Sequence, residues 1–359
     1  MITFDKVSKT FPDGTLAVDN LNFELPTGKI TVFVGPSGCG KTTSLRMINR
    51  MIEPTGGRIL IDGQDVTSQD AALLRRSIGY VIQHAGLFPH RTVIENVMTV
   101  PNLIGSDKKK SRDSAMELLL RVGLTETMAN KYPVQLSGGQ AQRVGVARAL
   151  AADPPVMLMD EPFSAVDPIV RAGLQTEFLR LQGDLGKTIA FVTHDIDEAI
   201  KLGDMVAVFR EGGHLAQYAT PQELLENPAN DFVADFVGRD RGFRSLSFDS
   251  SEVLVLDPVE SVTSGVSDGS GSERLVLDAV GRPLGWSGPG LADERSPLPV
   301  AGTFTATDSL RVVTDLAISS PVGIAVRVNA AGAADGVIRH PSLVRQLDER
   351  RRQRAGTTA

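Results

Sequence analysis

The sequence predicts an α/β fold over its first two thirds and a smaller α+β region after it, on three observations. Short uninterrupted apolar runs at 30–34, 156–159 and 189–192 recur with helical stretches between them, and runs of that length suit parallel strands covered on both faces. The first run passes into a glycine-rich turn and then a helix predicted over 42–51. Near residue 240 the texture changes to Ser-, Gly- and acid-rich stretches with strand-turn-strand units.

Bulk composition narrows the classes. Of 359 residues, 42% are hydrophobic and 22% charged, as in a folded globular protein, and the length suggests about two domains. A net charge of -6 argues against a general nucleic-acid binder, whose phosphate contacts need a basic surface. Cys39 is the single cysteine, which excludes an internal disulfide and any site built from several thiolates. The first residues lack the apolar stretch of a signal peptide, and no run of apolar residues is long enough to span a bilayer. If a solute is moved across a membrane, another chain is expected to form the path.

The glycine-rich turn matches the phosphate-binding pattern G-x-x-x-x-G-K-[ST], in the required place between a strand and a helix. Its residues are Gly35, Pro36, Ser37, Gly38, Cys39, Gly40, Lys41 and Thr42, with Thr43 following. Glycines let backbone N–H groups wrap a phosphate, and the helix start adds its positive end. Lys41 supplies a charge for the β and γ phosphates, and the Thr42 hydroxyl is a ligand for Mg²⁺. Downstream, the apolar run at 156–159 ends in Asp160 and Glu161. Asp160 is placed to hold Mg²⁺, and Glu161 to orient or deprotonate an attacking water. A solvated strand end would also read as two adjacent acids.

Leu136, Ser137, Gly138, Gly139 and Gln140 open a further helix, predicted over 141–152. Ser-x-x-Gln is a capping box in its own right, and a capped helix N-terminus with two glycines is equally an anion site. This LSGGQ stretch, followed by Arg143 and the Met159-Asp160-Glu161-Pro162 strand end, resembles the ABC ATPase family. The resemblance covers residues 1 to about 235 and implies a P-loop ABC ATPase domain, a mixed-sheet core with a helical subdomain at about 87–150. It also implies roles. Phe11 would stack on adenine, and Gln83 would sense Mg²⁺ and the permease. The D-loop at Ser164 to Asp167 would communicate between sites, and His194 would contact the γ-phosphate. ATP and Mg²⁺ are the implied cofactors. Two chains would form a head-to-tail homodimer in which Ser137, Gly138, Gly139 and Gln140 of one complete the site of the other.

Three stretches, 46–55, 78–90 and 232–241, resemble more closely the ATPase subunits of quaternary-amine importers for glycine betaine, choline, carnitine and proline betaine. That resemblance implies integral-membrane permease subunits, an extracytoplasmic substrate-binding protein, and a peripheral position on the cytoplasmic face of the membrane. It also implies that residues 239–346 form a CBS-like pair, the first unit shortened around 261–272. Adenosyl-binding CBS modules carry a Thr or Ser and then an Asp three residues later, where this chain has Arg339 and Ser342. In the first unit neither Gly290 nor Leu291 is acidic. A structural or dimer-stabilising region is therefore weighted above a nucleotide sensor. Residues 1–238 are expected as the ATPase domain and 347–359 as a disordered tail. Rival readings are a cytosolic ABC ATPase without a permease, a non-catalytic ATP-binding module, and an importer of another solute. The sequence has neither a coiled-coil insertion nor a second cassette, and it keeps both Glu161 and His194.

Overall fold

The computed structural model describes residues 1–83, 86–164, 166–263, 273–288 and 296–357, in two compact units, Met1–Arg239 and Asp240–Ala359. The strands of the first unit are β1 (Ile2–Thr10), β2 (Leu16–Leu25), β3 (Ile30–Val34), β4 (Gly56–Ile61), β5 (Gln64–Asp65), β6 (Ile78–Val81), β7 (Val156–Asp160), β8 (Thr188–Val192), β9 (Met205–Arg210) and β10 (His214–Ala219). They form a four-stranded sheet, β2-β1-β4-β5, whose recorded pairings are antiparallel, and a six-stranded sheet ordered β10-β9-β3-β8-β7-β6. In the larger sheet β9, β3, β8, β7 and β6 run parallel, and only β10 is antiparallel to its neighbour.

The apolar runs are buried on both faces, as their continuity predicts. Ile30, Val32 and Val34 join one core with Met157, Met159, Ile189 and Phe191. The alternate residues Phe33, Leu158, Ala190, Val192 and Phe209 face a second core, closed by Phe4, Phe23 and Leu25 of the smaller sheet. Phe4 and Phe23 stack with centroids 4.8 Å apart, and Phe33 meets Phe23 edge-on at 5.7 Å. A third core lies in the helical stretch. There Val93, Ile94 and Val97 pack with Leu119, Val144 and Ala147 from the helices Lys108–Arg121 and Gly138–Leu150.

The second unit repeats one pattern. Ser261–Thr263, Arg274–Leu277 and Pro283–Ser287 pair parallel and then antiparallel, and so do Thr303–Phe304, Ile324–Val328 and Ala334–Arg339. These are the two strand-turn-strand units of the sequence. The shortened connection expected at 261–272 and the positions of Gly290 and Leu291 lie mostly or wholly outside the described residues. The tail differs from expectation. Residues 347–357, read as disordered from their Arg-rich polarity, continue the helix His340–Thr357. Leu343 is fully buried in the core of this unit and Leu347 packs against it, while Arg345, Gln346, Asp348 and Glu349 are good helix formers or tolerated on a solvated face.

Gly213, at φ 73°, sits where an added Cβ would lie 2.3 Å from the Ala17 carbonyl oxygen, so it fixes how closely the turn between β9 and β10 approaches β2. Gly213→Ala is expected to lower unfolding stability by about 2–3 kcal/mol, read as a fall in the denaturant midpoint.

Candidate nucleotide site

Four strands set the site. β3, β8, β7 and β6 are in parallel register, with Phe33 opposite Val192, Val192 opposite Asp160, and Met159 opposite Val81. The ladder continues past the strand ends. Thr193 N–H donates to the Phe33 carbonyl (3.1 Å), and Glu161 N–H to the Val192 carbonyl (3.0 Å). Residues that follow these strands therefore emerge along one carboxyl edge, the usual place for a ligand in an open α/β sheet. They are the 35–42 loop after β3, Gln83 after β6, Glu161 after β7 and His194 after β8.

Within the loop, Lys41 is only 6% exposed, and its Nζ donates to the carbonyls of Gly35 and Pro36, both at 2.7 Å. Among the described residues no carboxylate pairs with this ammonium, so the loop presents a buried positive charge held by carbonyl oxygens. Gly40, at φ 91°, begins the helix Lys41–Ile48, and an added Cβ there would meet the Ala17 carbonyl oxygen at 2.2 Å. Cys39 is buried, and burial pushes its thiol above the ordinary range although Lys41 acts the other way. It is a packing residue with little thiolate character.

The Thr42 hydroxyl donates to Asp160 Oδ1 at 2.9 Å, and Asp160 is 6% exposed. Gln83 Nε2 donates to Glu161 Oε2 at 3.1 Å and lies 3.4 Å from Ser164 Oγ, while His194 Nδ1 lies 3.2 Å from Glu161 Oε1. Glu161 holds this position with φ 47°, a left-handed conformation unusual for its type. Hard oxygens of Thr42 and Asp160 beside a buried ammonium are a donor set that fits a magnesium–triphosphate. Magnesium needs only one or two protein carboxylates when phosphate supplies further ligands.

Not every sequence-predicted residue joins this cluster. Ser137 N–H donates to Gln140 Oε1 (3.0 Å) and Gln140 N–H to Ser137 Oγ (3.3 Å), so these two close the capping box on the helix Gly138–Leu150. Among the described residues, none of the recorded hydrogen bonds of Ser137 or Gln140 reaches the 35–42 loop. Phe11 is half-buried with the Lys9 ammonium 5.4 Å from its ring centroid, which leaves part of the ring accessible.

Two residues at Asp160 escaped the sequence reading. Arg46 lies 3.4 Å from Asp160 Oδ2, and the Tyr80 hydroxyl 3.5 Å from the same oxygen. Burial pushes the Tyr80 phenol up, with Arg46 opposing it. The signal for Arg46 was its spacing, four residues after Thr42 and so on the same helix face.

A family model described as ABC transporter matches residues 18–164. The choline transport ATP-binding protein OpuBA of Bacillus subtilis is 49% identical over 277 residues, which are 77% of this chain and 72% of OpuBA. The osmoprotectant import ATP-binding protein OsmV of Salmonella typhimurium is 44% identical over 358 residues, 94% of this chain and 93% of OsmV. Among solved structures, a dimeric post-hydrolysis state of an ATP-binding cassette bound to ADP and Pi aligns with a TM-score of 0.56 and 34% identity. It covers 62% of this chain and 99% of that one.

Glu161 combines a left-handed backbone with a carboxylate that meets Gln83 and His194. Asparagine tolerates the left-handed region and carries no charge, so Glu161→Asn is expected to raise nucleotide-free stability by about 1 kcal/mol, measured by chemical denaturation.

Proposed function

The chain belongs to the ABC transporter ATP-binding proteins, ATPases that couple hydrolysis to transport, and we propose that it powers uptake of a quaternary-amine osmoprotectant through a separate membrane permease. One observation carries the substrate class. The 44% identity to an osmoprotectant import protein runs over 94% of this chain, through the second unit as well as the ATPase cassette. Glycine betaine, choline, carnitine and proline betaine are the solutes this reading covers.

The mechanism follows from the cluster. Backbone N–H groups of the 35–42 loop and the Lys41 ammonium bind the β and γ phosphates of ATP. Thr42, Asp160 and Gln83 would hold Mg²⁺, which neutralises phosphate charge when bound. Glu161 takes the proton of the attacking water, and its carboxylate is kept in place by Gln83 and His194 at 3.1 and 3.2 Å. His194, with 60% of its side chain exposed, is free to reach the γ-phosphate by its other ring nitrogen. Phe11 stacks on the adenine.

Ser137, Gly138, Gly139 and Gln140 then act on nucleotide held by a second copy of the chain. The closing of Ser137 and Gln140 on their own helix cap and the dimeric state of the aligned ATP-binding cassette support a head-to-tail homodimer. Arg75, Tyr80, Phe88, Val100 and Arg148 line an open groove between the β6 region and the helical part, a surface suited to a cytoplasmic segment of the permease. Among the described residues no helix is long and apolar enough to cross a membrane. The likeness to transport ATP-binding proteins supports attachment at the cytoplasmic face through the permease, with an extracytoplasmic binding protein delivering the solute. The second unit acts as a degenerate CBS-like pair that stabilises the dimer. Arg339, where an adenosyl site would have Thr or Ser, is instead 3.5 Å from Asp257.

In cells lacking other betaine importers, Lys41→Ala is expected to abolish uptake of labelled glycine betaine after osmotic upshift. Uptake at the parental rate would overturn the substrate assignment. In the purified chain, Glu161→Gln is expected to bind ATP with near-normal affinity, to lose about 100-fold or more in hydrolysis, and to elute as a nucleotide-bound dimer.

A further inference from the structure

Behind His194 lies a buried acid that the mechanism above does not use. Glu198, on the helix Ile196–Leu202, is 5% exposed, and its two oxygens have separate partners. The Thr193 hydroxyl donates to Oε2 at 2.7 Å, and Gln175 Nε2 donates to Oε1 at 3.1 Å. Thr193 is 2% exposed and Gln175 6%, so the whole set is shielded from water.

Both bonds are directional. Lys201 Nζ donates to Gln175 Oε1 at 2.9 Å. Lysine has no acceptor, so the Gln175 carbonyl must face Lys201 and its NH₂ must face Glu198. On the other side, Thr193 Oγ1 accepts the Asp195 N–H at 3.0 Å and spends its own proton on Glu198. That pair of bonds pins the three-residue turn in which His194 is the middle residue. Gln175 belongs to the helix Pro168–Leu185. One turn earlier in that helix, Arg171 donates from Nη2 to the Val166 carbonyl (3.0 Å), and its Nη1 lies 3.8 Å from Asp195. Ser164, four residues before that helix in the sequence, donates to the Glu161 carbonyl at 2.9 Å.

We propose that Glu198 is a positioning residue for hydrolysis, fixing the His194 turn through Thr193 and tying it through Gln175 to the helix Pro168–Leu185. A buried carboxyl is costly, and an apolar side chain of the same volume would pack at least as well. What an apolar residue cannot do is accept at once from the His194 turn and from the helix Pro168–Leu185. Burial pushes the Glu198 carboxyl above the ordinary glutamate range, with the Thr193 hydroxyl opposing the shift. Asp195 raises it further, while Arg171 and Gln175 act in the same direction as Thr193.

This inference rests on the role given to His194 above, and a double-mutant cycle on the purified full chain separates the two. Glu198→Ala is expected to lower kcat for ATP hydrolysis about 10–100-fold while KM and ATP affinity stay within about twofold. In a His194→Ala background the same change should cost less than about twofold, because both act through one group. Thr193→Ser should keep a near-normal kcat, whereas Thr193→Val should fall with Glu198→Ala. Glu198→Gln keeps the volume and guards against a folding defect in the alanine variant. Its amide can satisfy Gln175 but strands the Thr193 hydroxyl proton, so it should lose about 3–10-fold in kcat. Equal losses from Glu198→Ala in both backgrounds, or a loss confined to KM, would overturn the proposal while leaving His194 in its role. A His194→Ala variant with parental kcat would overturn both.

Discussion

The parallel register of β3, β8, β7 and β6 is the constraint on which the site depends. Two backbone bonds extend it beyond the strands, from Thr193 to Phe33 and from Glu161 to Val192. Shifting one of these strands by a residue would exchange its two buried faces. Phe33 and Phe191 would then trade cores with Val32 and Val192. The packing that stabilises the sheet therefore also fixes the height at which Lys41, Asp160, Glu161 and His194 arrive. Core and site are one geometric problem in this unit.

The electrostatics of the edge follow from that arrangement. Burial brings an ammonium and a carboxylate, Lys41 and Asp160, to 6% exposure on neighbouring elements. Lys41 is satisfied by carbonyls, and Asp160 by the Thr42 hydroxyl with Arg46 and Tyr80 further off. Such charges are costly to hold apart from water, and they suit a ligand that brings opposite charge to each. The left-handed backbone of Glu161 belongs to the same pattern, since strain of this kind persists where surrounding structure over-determines it.

Much of this was legible along the chain because it is local. The glycine-rich loop needs only eight consecutive residues to be recognised, and the Ser137–Gln140 capping box only four. The strand runs show themselves because both faces are buried. The second unit was harder. Its strand-turn-strand repeats were visible, but the helix to Thr357 was not, because the contribution of Leu343 and Leu347 lies in what they pack against. Arg46, Tyr80 and Glu198 were missed for a related reason. Each is an ordinary residue type whose significance lies in a partner 114, 80 or 23 positions away.

By itself the sequence determined the chemical vocabulary: a lysine after a phosphate-binding turn, two acids after an apolar strand, a glutamine, a histidine, and a helix start with two glycines. It also determined the strand identities, since uninterrupted apolar runs leave few alternatives. Only the tertiary structure decided which of these residues meet. It joined Thr42 to Asp160 and set Gln83 and His194 on either side of Glu161, while the recorded bonds of Ser137 and Gln140 stayed within their own helix cap. The reason is that strand order and register are set by hydrogen bonds and packing between segments far apart in the chain, which no local pattern encodes.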